Sequence, residues 1–329
     1  MSEGRASVAN APVDAGMRAV LAALGLQHAP FPQTPDAANW FQTAELERDM
    51  AEATHCLLAR KGFVLLTGEV GQGKTTFLRR LLLRVEREVA RSSLIFNTFL
   101  QGPDLLAAVL RDFGLRPGFD TAANLAKLNR FLLTRWREGS TCVLFIDDAQ
   151  NLDVASLELL RLLTNLESGQ EKLLQIVLAG QPELEATLQQ HGLRQLASRI
   201  VKHVRLKPLG PDEMARYIAF RLERAGDAGR IEVAPGARAA LYRDSVGNPR
   251  RVHLIMDRCL YGVIASGRPC IDAALVRRAA DEAGIGRVHA WPRRLLAVAA
   301  AVLVAAVVVV AGIDTLAPLD TPEIAHGRG

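Results

Sequence analysis

Several features that would assign a chain quickly are scarce or missing here. Only four cysteines occur, Cys56, Cys142, Cys259 and Cys270, set far apart, with no C-x-x-C pair and no histidine spacing suited to zinc. That excludes a disulfide framework and a structural zinc site, and it fits a reducing cytosol. The first twenty residues, MSEGRASVANAPVDAGMRAV, have no basic stretch followed by an apolar core, so no secretory leader is expected and the N-terminus stays where it is made. No unit recurs at a period of roughly 20 to 50 residues, which sets aside solenoids and propellers. Charge of one sign is also in short supply. The net charge of +5 is modest for 329 residues, and the Lys and Arg residues are spread among acids rather than interleaved with aromatics. A nucleic-acid partner is therefore not expected.

What is present points to a folded chain with room for two or so domains, since 49% of it is hydrophobic and 23% charged. Residues 1–30 are expected to be a flexible N-terminal segment, and FPQTPD at 31–36 an extended one. A helix is predicted from about Ala44 to Arg60 by its apolar spacing. Four apolar runs then alternate with helices: FVLLT at 63–67, SLIF at 93–96, CVLFI at 142–146 and LLQIVLA at 173–179. A fifth, VKHVRL at 201–206, completes the set. Continuous apolar strands separated by helices predict an α/β fold with a parallel five-stranded sheet covered on both faces, occupying 31–210. After Pro211 the pattern is helical only, near 211–225, 234–246, 249–266 and 271–284, which predicts a second, all-helical domain at 211–286.

One motif carries the chemistry. GEVGQGKT, Gly68 to Thr75, satisfies G-x-x-x-x-G-K-[ST] directly after a predicted strand and at the start of a predicted helix. In that setting the backbone from Gly68 through Glu69, Val70, Gly71, Gln72 and Gly73 to Lys74, Thr75 and Thr76 wraps phosphate oxygens. Lys74 supplies charge to the β and γ phosphates, and the Thr75 hydroxyl holds Mg²⁺. ATP and Mg²⁺ are the expected cofactors. Asp147 and Asp148 end the strand CVLFI, where the first carboxylate is expected to orient Mg²⁺ and the second to polarise the attacking water. Gln181 follows the next strand, either sensing the γ phosphate or simply preceding a helix that starts at Pro182. Arg194 and Arg199 in LRQLASRI are either solvated helix residues or arginine fingers directed at a neighbouring subunit's ATP. Arg250, in GNPRR, opens a helix of the second domain. A cation is disfavoured in a first helical turn, and that misfit marks Arg250 as a group that swings onto phosphate.

Residues 295–313, LLAVAAAVLVAAVVVVAGI, form the longest apolar run. As a helix these 19 residues span roughly 28 Å, close to the roughly 30 Å of bilayer hydrocarbon. A transmembrane helix is expected over 293–313. Arg293 and Arg294 precede it and Asp314, Asp320 and Glu323 follow it, so the N-terminal side is expected in the cytoplasm, with a short periplasmic tail at 314–329.

The series FPQTPD, KGFVLLTGEVGQGKTT, FIDDAQNL, AGQPEL, LRQLASRI and GNPR, in this order from Phe31 to Gly284, resembles AAA+ ATPases of the general secretion pathway protein A type. The resemblance implies an AAA+ core with a helical lid, ATP bound between them, and nucleotide-dependent assembly into a homo-oligomeric ring. It implies that Arg199 acts on the adjacent protomer and that Arg250 is the lid sensor. It further implies a bacterial inner-membrane ATPase serving a secretion, pilus or exopolysaccharide assembly with envelope partner proteins. Two departures stand out. The second carboxylate in such proteins is usually glutamate and here is Asp148, which suits slow turnover. Relatives with a full periplasmic part carry a peptidoglycan-binding domain beyond the span, where this sequence has only DTLAPLDTPEIAHGRG, so cell-wall binding is not expected. Two rival readings are a DNA-transposition helper and an ATP-holding scaffold with little turnover.

Overall fold

The computed structural model describes residues 21–285 apart from residues 38, 89, 96–99 and 170. The span expected at 293–313 and the tail at 314–329 lie outside the described residues. No helix among the described residues is long and apolar enough to cross a membrane.

In chain order the first part comprises α1 (Ala44–Leu58), β1 (Phe63–Thr67), α2 (Lys74–Glu86), β2 (Ala90–Ile95), α3 (Gly102–Asp112), α4 (Thr121–Arg137), β3 (Thr141–Ile146), α5 (Val154–Leu163), β4 (Glu167–Ser168), β5 (Glu171–Lys172), β6 (Leu174–Gly180), α6 (Glu183–Leu188), α7 (Arg194–Ala197) and β7 (Ile200–Arg205). The five long strands pair in parallel in the order β2-β3-β6-β1-β7. Every residue of β1, β3 and β6 is buried, as expected where helices cover both sides of a parallel sheet. Side chains alternate between the faces. Phe63, Leu65, Leu144, Ile146 and Ile176 join α3, α4 and α5 in one core, while Val64, Leu66, Val143, Phe145 and Val177 join α1 and α2 in the other. Truncating the fully buried Phe145 to Ala is expected to cost about 3–5 kcal/mol. The two-residue strands β4 and β5 form a small antiparallel pair that the sequence patterning had not indicated.

Register decides where the chemistry falls. Thr67 stands level with Gly180 on one side and Arg205 on the other, and Ile146 with Leu178. The segments that follow β1, β3 and β6 therefore emerge side by side at the carboxyl edge of the sheet, where open α/β sheets bind ligands.

Beyond β7 come α8 (Pro211–Arg224), β8 (Glu232–Val233), α9 (Pro235–Ser245), α10 (Pro249–Ser266), β9 (Cys270–Ile271) and α11 (Ala273–Glu282). This part is not purely helical, because β8 and β9 form a short parallel pair at the two points where Ile231 and Ile271 enter its core. A second difference concerns the region before residue 31. Leu21, Leu24, Leu26 and Phe31 are buried in the same core as α8, α9, α10 and α11, so residues 21–30 are tied to it rather than forming a flexible lead. Apolar side chains at 21, 24 and 26 explain why.

Candidate functional site

Three helices of the first part carry side-chain N-caps. Thr43 caps α1, Asp120 caps α4 and Asp153 caps α5. Helix α2 is the contrast. Gly73 at its N-cap adopts a left-handed conformation (φ 92°), gives no side-chain cap, and no acid stands in the first turn. Its first N–H groups are therefore left for an external anion, and the helix dipole favours one there.

Lys74 is buried, and its Nζ donates to the carbonyls of Gly68 at 2.7 Å and Glu69 at 3.0 Å. The lysine thus braces the loop it belongs to. Burial pushes its pKa down, opposed by the nearby charges of Asp148 and Asp147. The Thr75 hydroxyl donates to Asp147 Oδ2 at 2.6 Å, and the Asp148 backbone N–H donates to Asp147 Oδ1 at 3.0 Å. Burial raises the Asp147 pKa, with the Thr75 hydrogen bond working against it. A hydroxyl and a buried carboxylate held together beside a phosphate loop form an oxygen donor pair of the kind Mg²⁺ prefers. No cluster of three or more His, Cys, Asp or Glu suited to a metal occurs among the described residues, so phosphate or water oxygens would complete any Mg²⁺ shell.

Asp148 is exposed, in a left-handed conformation (φ 51°). Its Oδ1 accepts from Gln150 Nε2 at 3.3 Å, and Gln150 Oε1 accepts from the Gln181 N–H at 3.1 Å. Gln150, which the motif reading passed over, thereby links the tips of β3 and β6. Asp148, Gln181, Lys74, Thr75, Thr76 and Arg250 all face one cavity of about 520 Å³.

Arg250 comes from the first turn of α10, which reaches the loop by direct contact. Asn248 accepts from the Arg250 and Arg251 N–H groups, capping α10, and its Nδ2 donates to Val70 O at 2.8 Å. The Arg250 N–H also donates to Gly71 O at 3.2 Å. Gly71 allows this approach, since a Cβ there would lie 2.6 Å from Arg250 Cβ and 2.7 Å from Asn248 Oδ1. Gly247 does the same one step earlier, where a Cβ would stand 2.0 Å from Leu209 O. The two hydrogen bonds to the lid are made by carbonyls of the loop and not by its N–H groups.

Arg199 lies elsewhere. It precedes Ile200, which pairs with Phe63 at the far end of β1 from Gly68. Its guanidinium donates to Thr164 Oγ1 and, at 3.3 Å, to Arg161 O, at the end of α5. Arg194 is exposed at the start of α7. Neither is among the residues facing the cavity.

The opposite end of the cavity was not legible as a site. Pro32, Trp40, Phe41, Leu206 and Tyr217 line it with His253. The strap 30–41 is clasped from α8 and α10. Arg221, buried, donates to Pro30 O at 2.7 Å, Asn39 O at 3.2 Å and Asp36 Oδ2 at 3.1 Å. His253 Nδ1 lies 2.7 Å from Pro32 O, its Nε2 2.6 Å from the Tyr217 hydroxyl, and the two rings stack. Burial holds the His253 pKa down at about 4 and pushes Tyr217 up to about 12. The motif FPQTPD was visible, but nothing near it in sequence names Arg221 or His253.

A parallel sheet in this order, a phosphate loop and a strand-end aspartate on the loop's threonine define a P-loop nucleotide-binding fold with a mainly helical lid. Comparison with known proteins agrees: residues 58–188 match the AAA domain family. General secretion pathway protein A of Aeromonas hydrophila is 41% identical over 286 residues, covering 85% of this chain and 52% of that protein. The chain is similar to that protein, and it spans about half the length of this curated relative. Among solved structures, Cdc6p of Pyrobaculum aerophilum superposes with a TM-score of 0.59 at 19% identity, over 80% of this chain and 71% of the other. ORC2 of Aeropyrum pernix gives 0.55 at 19% identity over 73% and 67%. The Holliday junction branch migration motor RuvB of Thermotoga maritima gives 0.52 at 18% over 77% and 73%. At such identities these three establish the fold alone.

Proposed function

We propose that the chain is an ATPase, anchored in the bacterial inner membrane through 293–313, that binds and hydrolyses ATP to assemble or regulate an envelope complex of the secretion type. The observation that carries the reading is the Thr75 to Asp147 hydrogen bond of 2.6 Å beside the buried Lys74. Lys74 would exchange its two carbonyl partners for β and γ phosphate oxygens. Thr75 and Asp147 would hold Mg²⁺, which when bound neutralises developing charge on the phosphates. Asp148 would orient the attacking water, with Gln150 steadying its carboxylate, and Gln181 would sense the γ phosphate. Arg250 would reach the phosphates from the lid. Arg199, at the far end of the sheet from its own loop, would serve the nucleotide of a neighbouring copy in a ring.

Similarity to the Aeromonas protein named for the general secretion pathway supports an envelope role, and the 19 apolar residues at 295–313 support the anchor. The test is ATP binding and phosphate release by the intact chain beside its Lys74→Ala variant. Loss of both in the variant is expected; tight ATP affinity retained by the variant would remove the site assignment. Separately, the intact chain should sediment with membranes after cell lysis, and recovery in the supernatant would refute the anchor.

A second reading, an ATP-holding scaffold, is favoured by one feature. Asp148 is one methylene shorter than glutamate, and its Oδ1 is already engaged by Gln150. Phosphate release no faster than that of Lys74→Ala, with ATP bound, would select the scaffold.

A further inference from the structure

Between α1 and α2, outside the nucleotide cavity, lies a cleft of about 200 Å³ whose wall includes Trp40, a residue that also lines the nucleotide cavity. Arginines dominate it. Arg80 and Arg84 line it from successive turns of α2 and Arg87 from the helical C-cap that follows, so they share one face. Like charges at such spacing repel one another and weaken the helix that carries them. One carboxylate answers them: Glu47 Oε1 accepts from Arg84 Nη1 at 2.9 Å. Gln42 brings no charge to the cleft, and its Nε2 donates to Glu47 Oε2 at 3.3 Å. Arg80 and Arg87 have no carboxylate partner among the described residues. Three cations against one anion leave two positive charges in excess at the cleft.

A second observation is independent of the arginines. The indole N–H of Trp40 is buried and meets no acceptor. Buried donors are nearly always satisfied, so an orphan one calls for an explanation. A cleft with guanidinium forks around it, walled in part by an indole whose buried N–H is unmet, is complementary to an acceptor-only dianion, and forked guanidiniums match phosphate oxygens in particular. The geometry points to a second anion site, separate from Lys74, in which Arg80, Arg84 and Arg87 bind a phosphate group carried by a small molecule or by a lipid. Leu83, 42% exposed on the same helix turn, suits the lipid source, since it would sit at the acyl boundary beside a headgroup. Trp40 is in edge contact with Phe77 in the first turns of α2, centroids 5.9 Å apart.

The experiment uses the full chain in detergent with Lys74→Ala, so that the phosphate loop makes no contribution, and titrates it calorimetrically with inorganic pyrophosphate. Saturable binding at a single site is expected, weakening about tenfold or more when Arg80→Gln and Arg87→Gln are added, as for charge-assisted hydrogen bonds lost. Arg87→Gln alone, at an exposed position, keeps the test valid should the combined variant fail to fold, and is expected to weaken binding severalfold. Short-chain phosphatidylglycerol and phosphatidylcholine then compete with pyrophosphate. Displacement by the first alone identifies a lipid headgroup, and displacement by neither identifies a soluble phosphate compound; both support the site. Absence of saturable binding, or binding indifferent to either arginine variant, overturns it. So does duplex DNA that binds more tightly with length and loses affinity steeply with salt, the behaviour of a diffuse basic face.

Discussion

At the P-loop end of the nucleotide cavity, most of the important groups come from short stretches that each follow a strand: 68–76 after β1, 147–150 after β3 and 181 after β6. At the other end the groups come from four places far apart in the chain, with strap residues 30–41 held by Arg221 and His253 and the wall completed by Leu206 and Tyr217. The first end is set by strand register, so a local motif predicts it. The second end depends on how the lid folds back over the strap, and no local rule encodes that meeting. The contrast extends to electrostatics. The P-loop end keeps charged groups close together and poised, while the strap end uses one buried guanidinium and one imidazole kept neutral.

The difference can be broken most severely at Arg221. Replacing it with Met takes the guanidinium from Pro30 O and Asn39 O and leaves Asp36 only its hydrogen bonds from Asn39, and breaking a buried pair in this way costs about 3–5 kcal/mol. The urea unfolding midpoint should fall accordingly; an unchanged midpoint would show that the strap is not anchored there. His253 offers a milder cut by pH. The unfolded chain takes up a proton near pH 6.5, whereas the folded site resists protonation down to about 4. A depressed histidine pKa means that its contribution is fully present above the unfolded value and declines as pH falls through that window. The decline should reach up to about 3 kcal/mol between roughly pH 6.5 and 4. In unfolding curves across that range, His253→Gln should flatten the slope.

Asn248 tests the junction between the two ends. Asn248→Asp keeps acceptors for the α10 cap, and an acid is favoured there, but it loses the N–H given to Val70 O. Thermal stability should stay close to that of the parent while turnover falls about tenfold, the cost of about 1.4 kcal/mol in positioning. Amide exchange at 68–73 should rise in the same variant, and unchanged exchange would sink the idea that the lid holds the loop. The smallest expected effect is at Asp148. Glutamate there should raise steady-state phosphate release severalfold, roughly the scale of a better-placed base, and a lower rate would mean that the short carboxylate is matched to its surroundings.

Much of the P-loop end was legible in advance for a physical reason. Continuous apolar runs mark strands buried on both faces, and Gly68 to Thr75 sits between such a strand and a helix, so its geometry is nearly dictated. Asp147 could be named because it ends the run TCVLFI. Gln150 was not, because its part is to join two strand tips whose adjacency follows from the sheet order β2-β3-β6-β1-β7. The lid was legible as helices, while the β8–β9 pair was hidden by its two-residue strands. Residues 21–31 carry apolar side chains, yet only the lid core shows where they go.

The sequence alone determined the strand set, the phosphate loop, the strand-end carboxylate and the apolar run at 295–313, because each follows from the chemistry of neighbouring residues. Only tertiary structure decided that Asn248 would grip the loop at Val70, that Arg221 would hold the strap, and that Arg80, Arg84 and Arg87 would share a cleft with Trp40. Those are contacts between residues distant along the chain, and their existence depends on how helices cross, which no short stretch of sequence specifies.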